Sequence, residues 1–259
     1  SLELIHLADD ASQVGRTYST RLGMIGDVKV SLAALASSLR DKVDASAAAV
    51  AIEKMGAEMR AGVEMFAQTA IDRYDQVPMN PMAAGHALVD ALPEGGVIVD
   101  EAVTTGIYVR GFQRTDETRT YFFCRGGGLG WGMPAALGAK LGRPERDVLC
   151  VVGDGSAMYA IQSLWTAAHS GIPVVFAVVN NRQYKILKDN LGAQMGKSAE
   201  SGTYVGMDLD HPAVDYVSLA QGLGLKAALV EKAADVGDAV RTAFESGQPW
   251  LLELPISTG

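Results

Sequence analysis

Two apolar runs in this chain end in groups able to hold a metal ion. The first, Val148-Leu149-Cys150-Val151-Val152, leads into Gly153-Asp154-Gly155. After 24 intervening residues the second, which begins beyond Pro173, ends in Asn180-Asn181. Continuous apolar runs bounded by turn signals read as strands buried on both faces of a parallel sheet. In an open α/β sheet, ligands bind beyond the carboxyl ends of the strands. A carboxylate from Asp154 and an amide oxygen from Asn181 would meet there as hard oxygen ligands. That set suits Mg2+, which binds through one or two protein oxygens and completes its octahedron with phosphate oxygens and water. The implied ligand is a metal-bridged diphosphate. Taken singly, Asp154 would serve equally as a helix N-cap and Asn180-Asn181 as a turn after a strand. Those two readings leave unexplained why both stand at neighbouring strand ends.

The elements that must position these groups alternate in type. Residues 82–92 read as a helix and 97–99 as a strand ending in Asp100-Glu101, with Thr104 just beyond it. Residues 121–124 read as a strand running into Gly126-Gly127-Gly128-Leu129-Gly130, and 131–141 as a helix with Pro134 near its start. A helix over 156–170 is expected between the two central strands. Residues 190–204 lack clear periodicity and are expected to form a mobile loop. Helix 214–222, strand 226–230, helix 233–246 and strand 250–254 complete the chain. Strand–helix alternation predicts an α/β fold, a parallel sheet with helices on both faces. Upstream, residues 4–7 and 24–27 read as strand pieces. Residues 30–39 read as a helix with Leu32, Leu35 and Leu39 on one face. A lone strand pair buries no core, so residues 1–44 are expected to be the tail of a second α/β domain whose earlier strands precede this sequence. Residues 45–79, rich in Ala, Met and Glu, are expected to be a helical linker, and 80–259 the main domain.

The bulk properties narrow the class. Formal net charge is −8, which argues against a nucleic-acid surface. No apolar run reaches membrane-spanning length and no signal peptide is visible, so a cytoplasmic protein is expected. Cys124 and Cys150, each in or beside an apolar run, read as buried free thiols. The four histidines have no metal-ligand spacing. The glycine cluster at 126–130 raises a nicotinamide-binding alternative. Its spacing is not Gly-x-Gly-x-x-Gly in the required setting, and the next strand ends in Gly153-Asp154-Gly155 instead of an acid for a ribose.

The spacing from Gly153-Asp154-Gly155 to Asn180-Asn181 resembles the thiamine diphosphate motif. Gly127-Gly128-Leu129-Gly130, Pro134-Ala135-Ala136 and Leu164-Trp165-Thr166-Ala167-Ala168 are similar to the benzoylformate decarboxylase and acetolactate synthase branch. Phe123-Cys124 and Glu101 bring the likeness nearer to the benzoylformate decarboxylases. The resemblance covers residues 80–259 as the thiamine diphosphate-binding fold and 1–40 as the end of the family's middle domain. It implies Asp154, Asn181 and the backbone carbonyl of Gln183 as Mg2+ ligands. It implies Thr104, Gly155, Ser156, Tyr159 and Tyr184 at or near the diphosphate, with Ser156 and Tyr159 at a helix start that attracts anions. Val103 departs from the pattern, because close relatives carry a hydroxyl there. It further implies that Gly127 and Leu129 hold the aminopyrimidine through backbone groups, with the Leu129 side chain wedged under a bent cofactor. Bending would let the cofactor deprotonate its own thiazolium carbon, which then attacks a 2-oxo carbonyl and takes up the electrons left by CO2.

The same resemblance implies a site completed by a pyrimidine-binding domain, of the same or a partner chain, that supplies a glutamate. No such domain is read in these residues, so no catalytic acid or base is assigned and the chain is expected to be inactive alone. The expected function is Mg2+- and thiamine diphosphate-dependent decarboxylation of a 2-oxo acid, benzoylformate-like, by a homodimer or tetramer. Acetolactate synthase-type carboligation and a non-catalytic cofactor-binding subunit are the alternatives.

Overall fold

The structure is a computed structural model describing residues 3–113 and 121–258. It divides into two compact units, residues 1–62 and 63–259. In the first, β1 (Ile5–Ala8) pairs in parallel with β2 (Leu22–Ile25), with Ile5 opposite Leu22. α1 (Val28–Leu39) follows, its first turn capped by Asp27, whose carboxylate accepts the Val30 N–H at 2.8 Å. None of the described residues of this unit is buried, and Leu32, Leu35 and Leu39 are exposed. Two strands and a helix offer no enclosed interior, as the strand count dictates. The boundary between units falls inside α2 (Ala45–Ile71), a helix free of Pro whose start is capped by Asp44.

The second unit is built on a six-stranded sheet ordered β4-β3-β5-β6-β8-β7, parallel throughout. Its strands are β3 (Val97–Glu101), β4 (Tyr121–Phe123), β5 (Val148–Gly153), β6 (Val175–Asn180), β7 (Lys226–Leu229) and β8 (Trp250–Pro255). Successive side chains on a strand face opposite sides, and this sorts the apolar runs into two cores. Leu149, Val151, Val175 and Ala177 face α3 (Pro81–Asp90), α4 (Gly106–Phe112) and α11 (Ala233–Glu245). Val148, Cys150, Val152, Phe176 and Val178 face α5 (Gly132–Gly142), α7 (Ser163–Ser170) and α10 (Tyr216–Gly222). Both faces are therefore covered, which is why the central strands carry no polar alternation. Met79 is also buried and ties into the sheet beside β8, its N–H donating to Pro255 at 2.9 Å.

Two local expectations differ from what forms, and one element has no counterpart among them. The helix expected over 156–170 is broken into α6 (Asp154–Ala157) and α7. Between them Tyr159, Ala160, Ser163 and Leu164 donate three residues back, so the chain runs in tight turns. Residues 190–204, expected as a mobile loop, hold the end of α8 (Lys185–Ala193) and all of α9 (Lys197–Ser201). Gly196 and the left-handed Gly202 bound α9, and these glycines interrupt the periodicity that would announce helix. The segment after Thr104-Thr105 forms α4, which no sequence signal marks.

Leu149 lies wholly buried in β5, a strand flanked by β3 and β6. Leu149→Ala should cost about 2–5 kcal/mol in the unfolding free energy measured by denaturant titration. A loss under about 1 kcal/mol would mean that this strand is not at the core.

Candidate functional site

The carboxyl ends of β3, β5 and β6 lie side by side. Glu101 pairs with Val152 and Gly153 with Val179, so Asp154 and Asn181 leave adjacent strands at the same sheet edge. They line one cleft of about 370 Å3 together with Thr104, Gly127, Leu129, Gly155, Ser156, Gln183 and Tyr184. A cleft of this size lies in the range of small-molecule sites. Nine of the ten residues that the sequence singles out therefore come together. Tyr159 is the exception: it does not line the cleft and is 59% exposed, standing beside Tyr184 instead. The broken helix accounts for this, since Tyr159 falls in the tight turns after α6 rather than on a helix face.

Asp154 is the centre of the arrangement. It is 4% exposed. Its Oδ1 accepts the Gly155 N–H at 2.9 Å, and its backbone carbonyl accepts the buried Tyr216 hydroxyl at 2.8 Å. Its Oδ2 is buried with no hydrogen-bond partner. Burial pushes the carboxyl above its usual range, opposed by the N–H groups of Gly155, Arg182 and Gln183. The last two belong to the turn after β6, so that turn faces Asp154 directly. A buried carboxylate oxygen without a donor is costly, and either a proton or a bound cation would relieve it.

The two asparagines divide their work. Asn180 is buried; its amide donates to Glu253 Oε1 at 2.7 Å and its Oδ1 accepts the Arg182 N–H at 3.0 Å. It braces the turn and is spoken for. Asn181 lines the cleft, its Oδ1 accepting the Gln183 N–H at 3.1 Å. An amide oxygen has two lone pairs, so one stays open for a metal. Arg182, which follows the two asparagines, adopts a left-handed φ of 58°, uncommon for a non-glycine residue. The Gln183 side chain is engaged by Lys188 Nζ at 2.6 Å, which leaves its backbone carbonyl as the group able to ligate.

The phosphate side is equally constrained. A Cβ on Gly155 would overlap the Tyr184 ring, so only glycine lets that ring close over the loop. The Thr105 hydroxyl, in the cleft lining, is buried without a partner. It escaped the sequence reading, which stopped at Thr104. Tyr216 and Glu253 were missed because their roles are tertiary, and for the same reason Glu101, noted in the sequence only for the family likeness, was given no role; it caps the glycine-rich turn from β3. Cys150 is fully buried and its thiol is pushed well up by that burial, so it is inert. Among the described residues no group of three or more His, Cys, Asp or Glu could hold a metal, which leaves the mixed acid–amide set. No helix of the described residues is long and apolar enough to cross a membrane.

Residues 103–254 match the profile of the thiamine pyrophosphate enzymes' C-terminal TPP-binding domain. The chain belongs to this family. Among thiamine pyrophosphate enzymes, it is 30% identical to benzoylformate decarboxylase of Pseudomonas aeruginosa, over 99% of this chain and 44% of that protein. Chloroplastic acetolactate synthase of Arabidopsis thaliana is 23% identical over 97% of this chain and 37% of its own length. The solved thiamine diphosphate-dependent 4-hydroxybenzoylformate decarboxylase of Rhodococcus jostii RHA1 superposes with a TM-score of 0.63 at 32% identity, over 69% of this chain and 33% of that one. The chain thus spans less than half the length of each of these thiamine pyrophosphate enzymes.

The buried charge on Asp154 generates a stability prediction for the ligand-free chain. Its raised carboxyl pKa means the folded state holds the proton more tightly than the unfolded state. The resulting penalty is absent below the unfolded value of 3.8 and grows as pH rises through the folded value. Asp154→Asn should therefore raise the melting temperature at pH 7 by a few degrees, and this gain should disappear as pH falls toward 3.8. A lower melting temperature at pH 7 would show that the carboxylate stabilises the fold.

Proposed function

We propose that this chain holds Mg2+ and thiamine diphosphate and forms part of a 2-oxo acid decarboxylase of the benzoylformate type. The observation that carries the reading is the buried, donorless Asp154 Oδ2 facing the Asn181–Gln183 turn across one cleft. Asp154, Asn181 and the Gln183 carbonyl would hold the metal. Diphosphate oxygens would complete its shell. Thr104, Thr105 and Ser156 offer hydroxyls to the same diphosphate, and Thr105 is the candidate to replace the one lost at Val103. Gly127 and Leu129 would seat the aminopyrimidine by backbone contact, with the Leu129 side chain as the wedge. Bound thiamine diphosphate supplies an electron sink for breaking the bond between a carboxyl group and an adjacent carbonyl carbon.

The chain's own residues do the binding and orienting. Leu129, Phe123, Ile186 and Leu187 give the cleft an apolar wall, which suits an aromatic 2-oxo acid and keeps water from the reacting carbon. We place the diphosphate-binding domain at 80–259, the end of a middle domain at 1–44 and a linker at 45–79. In this reading a pyrimidine-binding domain, from the same chain or another copy in a homodimer or tetramer, contributes the glutamate that these residues do not. Acetolactate synthase-type carboligation is the second reading, favoured by the relatives on that side. Product analysis with benzoylformate and with pyruvate separates the two: aldehyde and CO2 for the first, an acetohydroxy acid for the second.

Isothermal titration should show thiamine diphosphate binding that requires Mg2+ and vanishes with EDTA. Asp154→Ala should weaken it by about 100-fold with unchanged circular dichroism. Unchanged affinity would remove Asp154 from the metal. In the complete enzyme, Leu129→Ala should lower kcat by about tenfold with a smaller effect on cofactor affinity. Equal losses in both would reduce Leu129 to packing. Robust benzoylformate decarboxylation by this chain alone would contradict the shared site.

A further inference from the structure

Glu101 ends β3 and is 5% exposed. Its two oxygens reach across to the start of α5. Oε1 accepts the Gly130 N–H at 2.6 Å and the Trp131 N–H at 3.3 Å, and Oε2 accepts the Gly132 N–H at 2.6 Å. The first turn of a helix leaves its N–H groups without intrahelical partners. α5 has no side-chain cap of its own. The carboxylate of a residue 29 to 31 positions upstream fills that role, and its charge meets the positive end of an 11-residue helix.

The loop sequence is fitted to this contact. A Cβ on Gly132 would come within 2.7 Å of Glu101 Cβ and 2.8 Å of Oε2, so any other residue would push the carboxylate away. Gly130 has a φ of 92°, and a Cβ there would stand 2.9 Å from Tyr159 Cβ. One end of the glycine-rich turn is thus fixed by three charge-assisted hydrogen bonds. The other end, Gly127 and Gly128, has open space around it. Leu129 is adjacent to the fixed end.

We propose that Glu101 is a positioning residue: its carboxylate pins the Gly130–Gly132 amides and so sets where Leu129 and the Gly127 carbonyl meet the cofactor's aminopyrimidine. The inference rests on the reading of the cleft as a thiamine diphosphate site. It assigns Glu101 the ring end of the cofactor and leaves the diphosphate end to Asp154. Glutamine at this position has the same shape, but its NH2 group would face a backbone N–H that needs an acceptor. A donor would then oppose a donor in a buried place.

Two measurements test it. Amide hydrogen exchange on the ligand-free wild-type chain should find Gly130 and Gly132 protected and Gly127 and Gly128 fast. Glu101→Gln should release Gly130 or Gly132 while the β5 and β6 amides stay protected. The wild-type pattern needs no cofactor and no variant, so that part of the test stands if Glu101→Gln does not fold. The second is titration of wild type and Glu101→Gln with thiamine diphosphate and with inorganic diphosphate, both with Mg2+. The wild-type preference for thiamine diphosphate should fall by about tenfold in the variant, with inorganic diphosphate affinity changed less than about twofold. Gly132→Ala, which breaks the same contact from the loop side, should give the same pattern. Fast exchange at Gly130 and Gly132 in wild type, an unchanged preference, or equal losses for the two ligands would overturn the role of Glu101. If wild-type exchange shows the protection but the chain binds neither ligand, the cofactor reading fails and the positioning role with it, while the clamp remains as a helix cap alone.

Discussion

A carboxylate oxygen buried without a donor, at the end of a central strand, is the constraint from which the rest of this unit follows. Folding removes Asp154 from water, and one of its oxygens makes no hydrogen bond although the Arg182 and Gln183 N–H groups face the carboxyl. Such a group is unfavourable in the ligand-free protein. It persists because the surroundings hold it: Gly155 donates to the other oxygen and Tyr216 fixes the main chain. A perturbed, buried carboxyl at a sheet edge lined by a cleft marks a candidate functional site.

The supports around that oxygen are themselves buried and polar, and each is satisfied. Asn180 and Glu253 bond each other beneath the turn that carries Asn181. Glu101 holds the opposite wall through the amides of the glycine-rich loop. Asp100, whose carboxyl burial raises, accepts the Tyr121 hydroxyl at 2.6 Å and the Ala102 N–H at 2.8 Å at the foot of the same edge. Buried polar groups cost less when fully paired, so Asp154 Oδ2 and the Thr105 hydroxyl, both unpaired in the cleft, are distinguished from these neighbours. The cleft thus has an unpaired buried carboxylate oxygen between two hydrogen-bonded walls.

Much of this is legible in the sequence. The runs at 148–152 and 174–179 are apolar at every position because helices cover both faces, and that signal survives without any structure. The polar residues at their ends follow directly, and so does the family likeness carried by Gly153-Asp154-Gly155 and Asn180-Asn181. What stays hidden depends on distance along the chain. Asn180 and Asn181 look equivalent until Glu253, 73 residues away, claims one of them. Glu101 reads as the polar end of a strand until α5 is folded against it. Tyr159 looks like a residue on a continuous helix, and local turns place it beside Tyr184 and Gly130 instead of in the cleft lining. α9 is concealed by the glycines that bound it.

The most direct test of the account is a crystal structure of the chain grown with thiamine diphosphate and Mn2+ in place of Mg2+. The anomalous signal of the metal should lie at Asp154 Oδ2, within ligand distance of Asn181 Oδ1 and the Gln183 carbonyl, with the diphosphate beside Thr104 and Ser156. A metal found elsewhere, or a cofactor bound in the cleft with Asp154 Oδ2 still without a partner, would contradict it.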